Sequence, residues 1–488
     1  MPTIAPVVAG GSSSLAMLVK GWIVMFKIGE RTLADAVLDG DSQAIELVAR
    51  NVLRIKPDNL VERPWGGNRL VELKGIGGSV GERDLPWGES FELCCFQGDP
   101  EARVHPSIVK LADGSEMGLP HLLGKAGVPI LGEDFVAANG CEIPLLPKLL
   151  DVKQLLSVQV HPPGHPEVYV ILDADEGATI RLGFCRSVSR RQLASLVFEG
   201  RRAQEELLLV LGDKGSCARN QDRLHEVLSS LVATCKSGPV DSLDAVTSIA
   251  TELATELGLA SPSIPSLARL FDFLRRRYWQ VLDLLNEVPV VAGQVIANVT
   301  QQSPSPSPSS WSESSRVPLS ANLDAEVHAL GNPEGKEILM LEIRRPGPTY
   351  RVWDNARFPL RRLDIELALE SMSVEPRERA SFYASGRKLE IAGGRLCRFV
   401  ENSLFVVDRL DLARGEMAML PSVGWPRTIH VIAGQLEICS GSRDSSDSPI
   451  TLTYGQSALV PAALDEFSAA CLSETAAAVL VSIPAVGR

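Results

Sequence analysis

At 488 residues, with 45% hydrophobic and 22% charged side chains, the chain is long enough for several cored domains and has the composition of an ordinary soluble protein. Its net charge of −12 argues against nucleic acid or an acidic membrane as the main partner, while leaving room for a local basic pocket for an anionic small molecule. The nine cysteines are scattered and never spaced Cys-x-x-Cys, which fits reduced thiols better than a disulfide frame or a cysteine zinc site.

Residues 1–60 read as an N-terminal extension. The apolar run SLAMLVKGWIVMFKIG is interrupted by Lys20 and Lys27 and falls short of the roughly 20 residues of a clean membrane span. No basic region precedes it and no small-residue cleavage site follows, so the expected location is cytoplasmic. One amphipathic helix is expected within 31–56. From Val61 to about Gly183, short apolar runs broken by Gly, Pro and Asn give the pattern of an antiparallel β-domain. Residues 187–287 place apolar side chains at three- and four-residue intervals and predict a helical insertion, whose Arg275-Arg276-Arg277 run reads as a solvated helix face. β-character returns at 288–299. A Ser/Pro tract (301–318) follows, whose composition cannot support a packed core, and then further strands to about 360. Residues 361–488 open with a short helix and continue as regularly spaced short strands, the pattern of a second sandwich or jelly roll, in which His430 reads as structural. The expected architecture is mainly β: two jelly-roll domains (61–186 with 288–360, and 361–488) plus an α-helical domain (187–287).

The most informative stretch is SVQVHPPGHPEVYVIL, Ser157 to Leu172. Ser157, Gln159 and His161 alternate along an apolar strand and so share one face. A Pro162-Pro163-Gly164 turn follows, and Glu167 opens a second apolar, β-branched run. A hairpin of this kind can bring an amide oxygen, an imidazole and a carboxylate to one point, the donor set of a divalent metal. The same pattern also fits a plain hairpin with polar residues on its solvent face, and the stretch alone leaves both readings open. The chain has only seven histidines, and His328 lies in the first strand after the Ser/Pro tract; a lone strand histidine is by itself more often satisfied structure than a ligand.

The order of these segments resembles the type I mannose-6-phosphate isomerases, zinc enzymes of the cupin superfamily. The family's Pro-Trp-Gly-Gly is similar to Pro64–Gly67, and its Gly-Glu-Ser-Trp-Glu to Gly88–Glu92 with Phe91 for Trp. Its Leu-Ser-Val-Gln-Val-His-Pro is matched letter for letter by Leu156–Pro162, and its tyrosine-arginine stretch resembles Tyr350–Arg357 with Trp353 for a tyrosine. The resemblance implies one zinc per chain held by Gln159, His161, Glu167 and His328, and interconversion of mannose 6-phosphate and fructose 6-phosphate through a cis-enediol. It further implies phosphate binding by Ser157, Lys148 and Arg357, stabilisation of the enediolate by Arg351, and proton transfer by Glu342. The partner is then a small sugar phosphate, with no nucleic acid and no membrane; the oligomeric state is left open.

Two departures stand out. The lysine that the family carries just before the glutamate ligand is missing from Gly164-His165-Pro166-Glu167, where His165 is a candidate replacement as acid or base. The family's Pro-Ala-Gly-x-x-His approach is replaced by Leu323–His328. A non-catalytic cupin-fold homologue that binds sugar phosphate or metal is the alternative reading. A two-histidine, one-carboxylate iron oxygenase is disfavoured by the fourth ligand, Gln159, and by the phosphate-type cations.

Overall fold

The structure is a computed structural model that describes residues 31–75, 86–96, 105–236, 243–301, 323–441 and 449–484, together with two short strands, Met17–Val19 and Trp22–Val24. The expectations for the rest of the first thirty residues and for nearly all of the Ser/Pro tract lie outside the described residues. The chain divides into two compact units, one of residues 58–91 and 144–386, the other of residues 1–57, 92–143 and 387–488.

The unit formed by 58–91 and 144–386 contains two antiparallel sheets. The first has six strands in the order Val295–Asn298, Glu167–Ala174, Ile338–Arg344, Leu146–Val152, Leu60–Gly67 and Trp87–Phe91. The second has five, in the order Leu285–Pro289, Thr179–Phe184, His328–Ala329, Val158–Val160 and Tyr350–Trp353. Side chains alternate across each strand. Trp65, Leu150, Tyr169, Ile171, Ile296 and Met340 from the first sheet therefore meet Ile180, Leu182 and Val288 from the second in one buried core. The opposite face of the five-stranded sheet is apolar too. Val158, Val160, Phe184, Val352 and Trp353 pack there against Leu193, Val197, Leu207, Leu228, Phe271 and Tyr278. Those residues lie on the helices Arg190–Leu211, Ala218–Lys236 and Ile264–Leu282, and their period of three to four is what the sequence showed. Ser189 caps the first of these helices, and Gly200 within it leaves room for Trp353: a Cβ there would lie 2.6 Å from the indole.

The Pro-Trp-Gly-Gly and Trp-Gly-Glu-Ser runs owe their glycines to a close strand crossing. A Cβ on Gly66 would lie 2.6 Å from the backbone nitrogen of Gly88, and one on Gly88 2.5 Å from Cβ of Arg63. On the outer face of the same sheet, Asp151 accepts the backbone N–H of Leu70 at 3.0 Å and sits beside Glu337. Burial, reinforced by the hydrogen bond and charge of Glu337, pushes the Asp151 carboxyl from 3.8 up to about 8.

The other unit is also a sandwich. Its nine-stranded sheet runs Arg387–Leu389, Arg395–Glu401, Val406–Ala413, Thr475–Ser482, Arg427–Ala433, Ser457–Val460, Leu53–Ile55, Ile108–Lys110 and Glu116–Gly118. Its partner sheet runs Met417–Pro421, Glu466–Cys471, Gln435–Ser440 and Ile450–Thr453. Leu410, Ile429, Val431, Leu436, Ile438, Phe467 and Leu480 fill the space between them. Residues 31–57 form two helices, Leu33–Leu38 and Ser42–Ala49, and the strand Leu53–Ile55, where a single helix is expected. Asp41 separates the helices by capping the second. His430 is buried in a polar chain, 2.8 Å from Thr428 Oγ1 and 2.9 Å from Ser457 Oγ, and Ser457 donates to Glu92 at 2.7 Å. None of the eight cysteines whose side chains are described is in a disulfide. No helix among the described residues is long and apolar enough to cross a membrane.

Gly66→Ala must displace backbone rather than a side chain, so it is expected to cost about 1–3 kcal/mol and lower the melting temperature by several degrees. Asp151 binds its proton more tightly folded than unfolded, so its contribution to stability is full below pH 4 and is lost as pH rises towards 8. Urea titrations between pH 4 and 9 should therefore show a flatter stability profile for Asp151→Asn than for the native chain; parallel profiles would refute the assignment.

Candidate metal centre

The five-stranded sheet brings together residues that are far apart in sequence. Gln159 lies directly opposite His328 on one side and Arg351 on the other, and directly opposed residues of antiparallel strands share a face. His161 follows two residues on, and Glu167 opens the strand across the interior. His161, Glu167 and His328 are each 1% exposed or less, and their ligand atoms all lie within 4.8 Å of one another. Nε2 of His161 is 2.7 Å from Glu167 Oε1, and Nε2 of His328 is 3.3 Å from Glu167 Oε2.

The imidazoles are oriented from behind. Nδ1 of His161 lies 2.9 Å from the Pro348 carbonyl and Nδ1 of His328 2.9 Å from that of Glu326. Carbonyls only accept, so each Nδ1 carries the hydrogen and each Nε2 presents its lone pair to the interior. Burial pushes His161 down to about 4, so the ring is neutral at physiological pH. Burial would raise the Glu167 carboxyl, but positive charge facing it, on a protonated His161 ring and on the Arg344 guanidinium, draws it well below the usual carboxylate range. The Tyr169 hydroxyl donates to Glu167 Oε2, whereas Oε1 is buried with no hydrogen-bond donor. A lone pair of a neutral imidazole facing a carboxylate oxygen at 2.7 Å is unfavourable unless positive charge lies with them; Arg344 Nη1, 3.3 Å from His161 Nε2 and 3.6 Å from Glu167 Oε1, supplies part of it, and two nitrogens and a carboxylate are donors that zinc accepts. The residues present fit a divalent metal.

The other expected residues are distributed as follows. Gln159 Nε2 is 3.1 Å from His328 Nε2, and its Oε1 accepts from Ser157 Oγ at 3.1 Å. A half-turn of that amide exchanges its two ends. Glu342 is the direct neighbour of Tyr169 on one side and of Lys148 on the other, so all three share the interior face. Lys148 Nζ pairs with Glu342 at 2.6 Å and Glu89 at 3.2 Å, and Glu89 pairs with Arg63 at 2.5 Å. Burial raises the Glu342 carboxyl and the Glu167 charge adds to it, against the opposing pull of Lys148 and Arg344. The two carboxylates are thereby driven apart in proton affinity, Glu167 down and Glu342 up.

Ser157, Lys148 and Arg357, expected to meet at a phosphate, take other polar partners than one another. Ser157 is bonded to Gln159, and the Lys148 charge is spent on two carboxylates. Arg357 donates to the Leu155 carbonyl at 3.0 Å and lines a cavity of about 250 Å³ with Gln154, His225, Ser229 and Tyr278, where no metal-centre residue appears. Nor does His165 touch the ligands. Its Nδ1 is 3.1 Å from the Pro162 carbonyl and its Nε2 3.1 Å from that of Pro346, and its ring rests on Gly347, where a Cβ would come within 2.4 Å. In that position it ties the turn after His161 to the segment before Tyr350.

Three residues of the centre escaped the sequence reading. Tyr169 is two residues from Glu167, and Arg344 two from Glu342, so the period of the strands pointed to both. Asn298 lies opposite Glu167, accepts the Glu326 N–H at 3.0 Å and donates to the Glu326 carbonyl at 3.3 Å, steadying the turn that aims His328. Only strand pairing reveals it.

The sequence matches no protein-family model and no curated protein. The fold does find counterparts. The mannose 6-phosphate isomerase from Bacillus subtilis superposes with a TM-score of 0.54 at 18% identity, covering 88% of this chain and 99% of its own. A mutant of the phosphomannose isomerase from Salmonella typhimurium gives 0.51 at 16% identity, over 88% and 99%. A second mutant of the Salmonella typhimurium enzyme gives 0.52 at 15%, over 89% and 100%. The chain therefore has the fold of the mannose-phosphate isomerases, two cupin-like β-sandwiches with a helical region.

A cation completing the buried triad would bind the folded chain alone. Zinc at 100 times its dissociation constant should add about 2.7 kcal/mol, a rise of a few degrees in melting temperature. His328→Ala should lose most of that rise; an unchanged zinc response would place the ion elsewhere.

Proposed function

We propose that the chain is a zinc-dependent aldose–ketose isomerase that interconverts mannose 6-phosphate and fructose 6-phosphate. The observation that supports this reading best is the pairing of a buried His161–Glu167–His328 group with a second carboxylate, Glu342, of raised proton affinity on the same interior face. Gln159, through its carbonyl end, and the triad would hold the ion. When bound, zinc supplies a fixed positive charge that polarises the carbonyl and hydroxyl oxygens at carbons 1 and 2 of the open-chain sugar.

The remaining steps belong to the chain's own residues. Glu342 accepts the proton from carbon 2 of the aldose and returns it to carbon 1, which gives the ketose once the hydroxyl proton has moved from the oxygen at carbon 2 to that at carbon 1. Its raised proton affinity suits both directions, because a base that holds its proton too weakly cannot abstract one from carbon. Lys148 keeps Glu342 ionisable in a buried setting by its 2.6 Å contact. Arg351, opposite Gln159, places a permanent positive charge beside the position where the enediolate oxygens develop charge. Ser157, on the same strand face, is assigned to the phosphate. Tyr169 and Asn298 hold Glu167 and His328 in place.

A binding protein without turnover is the second reading, favoured by the absence of a lysine before Glu167 and by the His165 ring being occupied by carbonyls. A coupled assay from mannose 6-phosphate to fructose 6-phosphate separates the two. Turnover should vanish with a chelator and return with zinc. Arg351→Ala should lower kcat by about 100-fold or more with zinc still bound, in keeping with loss of one charge-stabilising group. No turnover by a zinc-loaded chain would establish the binding-only reading.

A further inference from the structure

Arg344 ends the strand Ile338–Arg344, two residues beyond Glu342, and so shares its interior face. Its guanidinium is almost fully buried and is held at two points, Nε donating to the Arg345 carbonyl at 3.1 Å and Nη2 to that of Gly347 at 2.9 Å. That grip aims the third nitrogen at the metal centre: Nη1 is 3.3 Å from His161 Nε2 and 3.6 Å from Glu167 Oε1.

We infer that Arg344 competes with the metal ion for His161 and thereby weakens metal binding at this centre. The inference rests on the reading of His161, Glu167 and His328 as metal ligands. Because Nδ1 of His161 is committed to the Pro348 carbonyl, Nε2 carries the only lone pair of the ring available in its plane. That lone pair cannot accept the N–H of Arg344 and bind an ion at the same time. Charge acts in the same direction. A guanidinium within 4 Å of two ligand atoms repels a divalent cation brought to those atoms, and it already offsets the negative charge of Glu167. An arginine cannot escape by losing its proton, so this opposition persists across the whole accessible pH range. Metal binding therefore requires the guanidinium to withdraw from His161. The affinity of the centre is then lower than its ligands alone would give, and its occupancy follows the metal supply.

The test is the zinc dissociation constant of the full-length, metal-free chain, measured by competition with a chromophoric chelator. Arg344→Gln removes the charge while keeping a polar side chain, and is expected to lower the dissociation constant at least tenfold. Arg344→Met, which keeps the length of the apolar stem, is expected to do the same and serves if the glutamine variant fails to fold, as judged by melting without metal. Tighter binding is the opposite of what loss of a merely supporting side chain would produce. Equal or weaker zinc binding by a folded variant overturns the competition while leaving the ligand assignment intact. Zinc binding by none of the proteins, the native chain included, overturns the ligand assignment and the competition together.

Discussion

The centre depends on a carboxylate that has been taken out of water. Glu167 is fully buried, and an isolated charge in that position costs several kcal/mol unless partners surround it. The neighbouring structure supplies them from separate strands: His161 and His328 from the facing sheet, Tyr169 from its own strand, Arg344 from the adjacent one. One oxygen is still left without a donor. A buried anion that is nearly but not fully compensated is the condition under which a cation binds, and the two backbone-anchored imidazoles give that cation its direction.

The surrounding sandwich makes this possible because its strands alternate. On the six-stranded sheet, the same positions that send Leu150, Ile171 and Met340 into the core send Lys148, Glu167, Tyr169, Glu342 and Arg344 towards one end of the interior. The apolar members exclude water and the polar members then act in a low dielectric, where each raises or lowers its neighbour's proton affinity. Burial raises both carboxyls, and their different partners then take Glu167 down and leave Glu342 up. Lys148, drawn between Glu342 and Glu89, extends that chain of opposite charges to Arg63 near the surface.

The helices serve the site indirectly. They cover the outer face of the five-stranded sheet, and Gly200 admits Trp353 of the strand that also carries Arg351. Without that cover the outward Val158, Val160 and Val352 would face water, and the strand bearing Gln159 would lose the packing that sets its twist and position. Asp151 shows the converse. It too is a buried carboxylate, but it is paired with a second acid rather than with cations, and it keeps its proton.

Much of this was legible in the chain. Strand alternation alone placed Ser157, Gln159 and His161 on one face, and the three- to four-residue period marked the helical region, because both signals are local properties of the backbone. The same local rule pointed to Tyr169 and Arg344 at two residues from recognised positions. What the sequence could not hold was which strands lie side by side. His328 sits in a strand of only two residues, too short for any period, and comes beside Glu167 and His161 through its pairing with Gln159. Asn298 matters because it lies opposite Glu167. Lys148 and Arg357 carry the right charge, yet the tertiary structure commits one to two carboxylates and turns the other to a separate cavity, and His165, adjacent to the ligands in sequence, is held off by the carbonyls of two turns. Residue type and local period settle which chemistry a chain can offer. Long-range pairing decides which groups share a low-dielectric space, and in such a space partners, more than residue type, set charge and proton affinity.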